Sequence, residues 1–431
     1  MINKIKNIIN EIENKVIAYR RDFHKHPETA WTEFRTASIV AKELSKLGYD
    51  LKIGRDVITE NDRAKLPSNN VLDECFMRAK QQDATTKYLD DLKGGFTGVV
   101  GILKNGNGPT IGIRFDMDAL YVNEDESPSH KPIKEGFASV NKGIMHACGH
   151  DGHTAIGLAI AEIFSKLKND IKGTIKLVFQ PAEEIIGGAK PMVLSGILDD
   201  VDFILSQHLF SGTNLGTINS SIEGFVATHK FEVNFEGAAT HACRSPEEGN
   251  NALLAASTAV LNMHSIPRHS GGITRVNVGK LVSGTSGNII PAYAHMDAEV
   301  RGENSELNDY MFEYAKRIIE ASAKMHNCTV EIIPTGSVPA PKSDKELIEK
   351  IEHITHEMDN ITIVPSQSGG GSEDFSFMME HIQKKGGKGL FVGVGADLNG
   401  WGHHTSKFDI NEKSLFISIE LLTKLSFDLM K

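Results

Sequence analysis

Apolar residues recur at helical spacing over residues 2–20 and 36–48, which predicts two amphipathic helices near the start of the chain. A polar stretch from about residue 55 to 93 follows. Its Leu72, Phe76, Met77 and Ala79 again fall at helical intervals, so it reads as a helical insertion. Two β-rich runs bounded by turn residues, 96–103 and 110–115, then predict strands. Residues 154–167 form a strong helix, with Ala155, Ile156, Leu158, Ile160, Ala161, Ile163 and Phe164 on one wide apolar face. Strand character returns at 173–179 and 201–206. Strands alternating with helices indicate an α/β fold, a mostly parallel sheet flanked by helices.

From about residue 221 the pattern changes. Strand 231–235, helix 251–264, strands 276–282 and 292–301, helix 307–325 and strand 329–334 follow in turn. This β-α-β-β-α-β order is that of a ferredoxin-like unit. The chain then returns with a helix at 345–358, the loop Gly369-Gly370-Gly371-Ser372-Glu373-Asp374, a strand at 390–394, Gly402-His403-His404 and a closing helix at 412–430. The expected organisation is a catalytic domain in two parts, 1–220 and 337–431, interrupted by a smaller domain at 221–336.

Composition narrows the field. A chain of 431 residues, 40% hydrophobic and 24% charged, has the make-up of a globular protein of two or three domains. No run of eighteen apolar residues exists to span a bilayer, and residues 1–21 lack the apolar core of a secretory signal. Cys75, Cys148, Cys243 and Cys328 are scattered without framework spacing, which fits a reducing cytoplasm. A net charge of −10 argues against a nucleic-acid partner.

The chemistry concentrates in Met145-His146-Ala147-Cys148-Gly149-His150-Asp151-Gly152-His153. A thiolate and imidazoles this close are ligands for a borderline-soft divalent metal. Two ligands do not complete a site, and the remaining candidates lie at predicted strand ends: Glu183-Glu184 after 173–179, His208 after 201–206, and His403-His404 after 390–394. In open α/β sheets, ligands bind beyond the carboxyl ends of the strands. Cys148, His150, Glu184, His208 and His404 are too many for one metal with open positions. They suit two divalent ions, Mn or Zn, with Cys148 as the bridge and His403 as the alternative to His404. Such an ion lowers the pKa of water from roughly 15.7 to about 7. Glu183 is then the general base, and Asp116 and Asp151 are expected to orient ligand imidazoles.

These residues carry a resemblance. Arg114 to Leu120, His146 to His153, Phe179 to Glu184, Gly237 to Ala242 and Gly371 to Phe375 resemble the aminoacylase/carboxypeptidase-type dimetal amidohydrolases, in the branch with cysteine at the bridge. The resemblance implies that the inserted domain is a lid that also makes the dimer contact. It implies that His241 stabilises an oxyanion in a neighbouring active site, and that Arg301 and Asn288 hold the substrate's carboxylate. Arg20 to His24, Gly94 to Gly98, Met145 to Gly157, Gly402 through Asp409 and the helical insertion narrow it further. They resemble the members that cleave p-aminobenzoyl-glutamate to p-aminobenzoate and glutamate, which implies a homodimer or a heteromer with a related B subunit. A general N-acyl-amino-acid or dipeptide hydrolase is the alternative, and a non-catalytic component of a heteromeric hydrolase a further one.

Overall fold

The computed structural model describes residues 1–368, 373–397 and 401–431. The loop residues Gly369, Gly370, Gly371 and Ser372 lie outside the described residues. In chain order the strands are Asp50–Ile53 (β1), Val99–Asn105 (β2), Thr110–Asp116 (β3), Gly173–Gln180 (β4), Phe203–Phe210 (β5), Thr217–Asn219 (β6), Ile222–Glu223 (β7), Ala227–Glu236 (β8), Thr274–Ser283 (β9), Tyr293–Gly302 (β10), Thr329–Val338 (β11), Thr362–Val364 (β12), Gln367–Ser368 (β13) and Lys388–Gly395 (β14).

One compact unit comprises Met1–Glu223, Lys342–Ser368 and Glu373–Lys431. Its sheet has the order β1-β2-β4-β3-β5-β14-β6-β12. The four central strands β4, β3, β5 and β14 run parallel, while β2 joins β4, and β6 joins β14, antiparallel. Every residue of β3 and β4 is buried. In β4, Ile175, Leu177 and Phe179 on one face and Val178 on the other fit a strand covered on both sides. The helix His150–Lys166 packs on β3 and is itself flanked by Ile2–Lys25 and Lys413–Leu429. Fourteen of its residues are buried, which explains why its apolar face reads so wide. No helix among the described residues is long and apolar enough to cross a membrane.

A close approach sets the height of this helix over the sheet. A Cβ at Gly157 would stand 2.6 Å from Phe179 and 2.7 Å from Phe115. Gly157→Ala is therefore expected to destabilise the fold by about 1–3 kcal/mol through overpacking, against a gain in helix propensity of roughly 1 kcal/mol. Chemical denaturation checks this: a midpoint equal to or above wild type would show that the rings can move aside.

The second unit spans Gly224–Pro341. It has strand, helix, strand, strand, helix, strand order, and its sheet runs β11-β8-β10-β9 with antiparallel pairings throughout. The helices Ala252–His264 and Ser305–Met325 pack on one face through Phe231, Val233, Phe235, Ala255, Met296 and Met311.

The insertion is helical at Asn69–Gln81 and Thr86–Leu92. It is tied down by Trp31 Nε1 donating to the Ala64 carbonyl at 2.9 Å, and by Arg55 and Arg63 stacked within 4 Å of the Phe96 ring. Strand β5 extends past Ser206 to Phe210, so His208 lies within the strand rather than after it.

Candidate metal centre

Three strand ends and one helix start deliver the candidate ligands. Strand β4 ends at Gln180 just before Glu183-Glu184, β5 carries His208 near its end, and His404 follows β14. Gly149, in the left-handed region at φ 96°, turns the chain between Cys148 and the first helical residue, His150. The structure brings Cys148, His150, Glu184, His208 and His404 together. Donor atoms of Cys148, His150 and His208 all lie within 4.8 Å of one another, and so do those of Cys148, Glu184 and His404. Cys148 belongs to both groups. Its Sγ is 3.5 Å from His208 Nε2, while Glu184 lies 3.8 Å from His150 Nε2 and 3.4 Å from His404 Nε2.

The ring nitrogens are sorted by their partners. His150 Nδ1 faces the Asp118 carbonyl at 2.9 Å, and His208 Nδ1 the Leu209 carbonyl at 3.0 Å. Each Nδ1 therefore carries the proton and each Nε2 turns a lone pair inward, the tautomer a metal ligand requires. His153 is different: Nε2 accepts from Leu209 N–H at 3.1 Å and Nδ1 donates to Asp116 Oδ1 at 2.5 Å. Both of its nitrogens are engaged, so it braces the site. At the tandem pair, His403 Nε2 accepts from Ser211 N–H at 3.3 Å, whereas His404 Nε2 faces Glu184.

The donor set fits a pair of cations on two further grounds. His150 Nε2 and Glu184 Oε1 are buried without a hydrogen-bond partner, a costly arrangement that a bound ion relieves. Burial also pushes the Cys148 thiol and the Glu183 carboxyl well up, and Glu184 to about 7. Three acids displaced together mark a site short of positive charge, and a dication coordinating the thiol would deprotonate it.

Residues 112–427 match the family described as Peptidase family M20/M25/M40. The chain belongs to this family. It is 41% identical over 426 residues to the A subunit of p-aminobenzoyl-glutamate hydrolase from Escherichia coli (strain K12), covering 98% of each chain. It is equally 41% identical, over 433 residues and 98% of each chain, to the indole-3-acetyl-aspartic acid hydrolase of Enterobacter agglomerans. The crystal structure of an aminobenzoyl-glutamate utilization protein from Klebsiella pneumoniae superposes with a TM-score of 0.75 at 35% identity, covering 98% of both chains. As a member of M20/M25/M40 the chain is a hydrolase of the peptidase and amidohydrolase class.

Two expectations about the surrounding carboxylates need correction in this M20 chain. Asp116 holds His153, and Asp151 Oδ2 holds His24 Nδ1 at 2.8 Å; neither hydrogen-bonds to a ring nitrogen of the five candidates. Asp116 is drawn aside because Arg114 Nη1 donates to its Oδ2 at 2.7 Å. That guanidinium also reaches Gln180, Glu373 and Asp374 at 2.8, 2.9 and 3.1 Å, tying β3, β4 and the Glu373-Asp374 turn into one buried network. The carboxylate nearest the ligands is Asp118, which accepts from the backbone N–H groups of Glu183 and Glu184, each at 3.0 Å. Its place in the Asp-Met-Asp motif was visible in the sequence; its backbone partners were not.

His24 gives this second layer a pH signature. Burial alone would lower it, but hydrogen bonds to Asp151 and Glu124 lift it to about 9 from the ordinary 6.5. A raised folded pKa means stability fully present below about pH 6.5 and lost as pH rises through 9. The slope is at most about 1.4 kcal/mol per pH unit. Unfolding free energies measured across that window are expected to fall for wild type and to lose this component in His24→Gln; parallel curves would remove His24 as the source.

The other three sequence candidates lie in the second unit. His241 is exposed, and its Nδ1 accepts from Cys243 N–H at 3.1 Å, which places its proton on Nε2. The Asn288 carbonyl accepts from Ala242 N–H at 3.1 Å, so these two loops lie side by side. Arg301 is held by Glu299, with Nε at 2.9 Å and Nη2 at 3.2 Å.

Proposed function

We propose that the chain hydrolyses the amide bond of p-aminobenzoyl-glutamate, with two divalent ions, Mn or Zn, held by Cys148, His150, Glu184, His208 and His404. The observation that carries this reading is the pair of three-donor groups sharing Cys148, with Glu183 alongside. When bound, the ions supply Lewis acidity to the scissile carbonyl and acidify water. Glu183 takes the proton from the attacking water and returns it to the departing nitrogen, so that p-aminobenzoate and glutamate separate. Its position supports this: it is buried, 3.9 Å from His150 Nε2, and made basic first by burial and then by the charges of Glu373 and Asp374. His241 is the oxyanion donor to a neighbouring active site in this scheme. Asn288 and Arg301 are the carboxylate holders, and Arg301 must exchange Glu299 for the substrate.

Two relatives of equal identity are named for different amides, yet both substrates join an aromatic acyl group to an acidic amino acid. Turnover of p-aminobenzoyl-glutamate, indole-3-acetyl-aspartate, an acetylated amino acid and a dipeptide, compared side by side, is the test. The first is expected to give the highest kcat/KM; preference for the acetylated substrate or the dipeptide would replace this reading with a general N-acyl-amino-acid or dipeptide hydrolase. The Escherichia coli relative is named as one component of a larger hydrolase, which supports assembly with a related B subunit; a homodimer through the inserted unit is the other arrangement. Four unpaired cysteines support a cytoplasmic setting.

A further inference from the structure

We propose that Glu33 is a positioning residue for the Glu183-Glu184 pair, a role that rests on the hydrolytic reading above. Glu33 stands at the N-cap of the helix Phe34–Lys46 but does not cap it. Glu28 does, accepting from Arg35 N–H and Thr36 N–H, each at 2.9 Å. The Glu33 carboxylate is instead fully buried and turned toward the end of β4. Its Oε1 accepts from Ala182 N–H at 2.8 Å, and its Oε2 from the Thr97 hydroxyl at 2.6 Å.

Ala182 is a non-glycine residue in the left-handed region, at φ 56°. A Cβ makes that conformation unfavourable, so it persists only where the surroundings impose it. Glu33 holds the amide of Ala182, and Asp118 holds the next two, those of Glu183 and Glu184. Three successive N–H groups are thus fixed by two carboxylates from distant parts of the chain, and the base and a ligand leave the backbone inside that clamp. Asp118 stands close enough to add its charge to burial in pushing the Glu33 carboxyl up. Two neighbouring buried acids are a poor way to gain stability. They are a good way to hold one loop geometry.

The test uses the full chain, titrated with Zn²⁺ after metal removal, together with steady-state kinetics. Glu33→Ala is expected to weaken the weaker of the two Zn²⁺ sites about tenfold and to lower kcat by about 10–100-fold, the range for loss of an outer support, with KM nearly unchanged. Glu33→Gln should stay within about threefold of wild type, because its amide oxygen still accepts from Ala182 and its NH₂ can donate to Thr97. Adding Ala182→Gly to Glu33→Ala should recover part of both losses, since glycine adopts this φ without strain. A purely structural role would leave the glycine without effect. Should Glu33→Ala not fold, Thr97→Val replaces it: about a threefold fall in kcat supports the clamp, and none overturns it. Wild-type Zn²⁺ binding and kcat in Glu33→Ala overturn the role of Glu33 alone. A wild-type chain that binds neither Zn²⁺ nor Mn²⁺ removes the metal reading, and this proposal with it.

Discussion

Glu183→Gln is expected to lose about 10²–10⁴-fold in kcat, the usual contribution of a positioned acid–base group, while retaining its fold and its metal. Glutamine is isosteric and can still accept a hydrogen bond, but it cannot take a proton from water. The side chain is only 10% exposed, so bulk water cannot easily substitute for it. Stability separates loss of chemistry from loss of structure. Burial and the charges of Glu373, Asp374 and Glu184 make the Glu183 carboxylate costly in the folded state. A neutral amide relieves that cost, so the metal-free variant should unfold at an equal or higher denaturant concentration than wild type. Low activity with an unchanged or raised midpoint supports Glu183 as the base. A kcat within about threefold of wild type would end the assignment.

The candidate ligands were legible because thiolates, imidazoles and tandem carboxylates at strand ends are rare combinations with few structural uses. Cys148, His150, Glu184, His208 and His404 could therefore be collected from segments as far apart as residues 148 and 404. What surrounds them was not legible. Asp118 and Glu33 act on backbone N–H groups, and such contacts leave no residue-type pattern at the receiving end. Asp116 and Asp151 were assigned to ligands on proximity in sequence. The fold gives them to His153 and His24, because Arg114 and Arg20 pair with them and fix their orientation.

The fold divides the same way. Strands β3 and β4 announced themselves through β-rich segments bounded by turn residues, and the second unit through its element order. Strand order did not: nothing local to β14 says that it lies beside β5, nearly two hundred residues earlier. Short elements were also missed. The helix Phe375–Lys384 follows directly on a glycine-rich loop and contains only ten residues, too few for periodicity to stand out. The helix Lys131–Glu135 is shorter still.

Cys148→Ala tests a claim that no single-site ligand can test, that one sulfur serves two ions. His208 belongs to one three-donor group and His404 to the other, but Cys148 belongs to both. Under the proposed arrangement, His208→Ala and His404→Ala should each weaken chiefly one site, leaving the second measurable. Cys148→Ala should weaken both, each by more than about 100-fold, beyond the range for loss of an outer support. Metal analysis after dialysis should then find close to two ions per wild-type chain, about one in each histidine variant and almost none in Cys148→Ala. Stability gives a second readout. An ion that binds only the folded chain adds roughly 2.7 kcal/mol at a hundred times its dissociation constant, and Cys148→Ala should forfeit most of that increment. Its metal-free form should lose little, since alanine removes a thiol whose ionisation the buried site resists. If Cys148→Ala instead matches either histidine variant in metal content, the sulfur serves one ion and something else joins the pair. These two groups share no other donor, so that result would end the bridging role of Cys148 and leave two ions held without a shared sulfur.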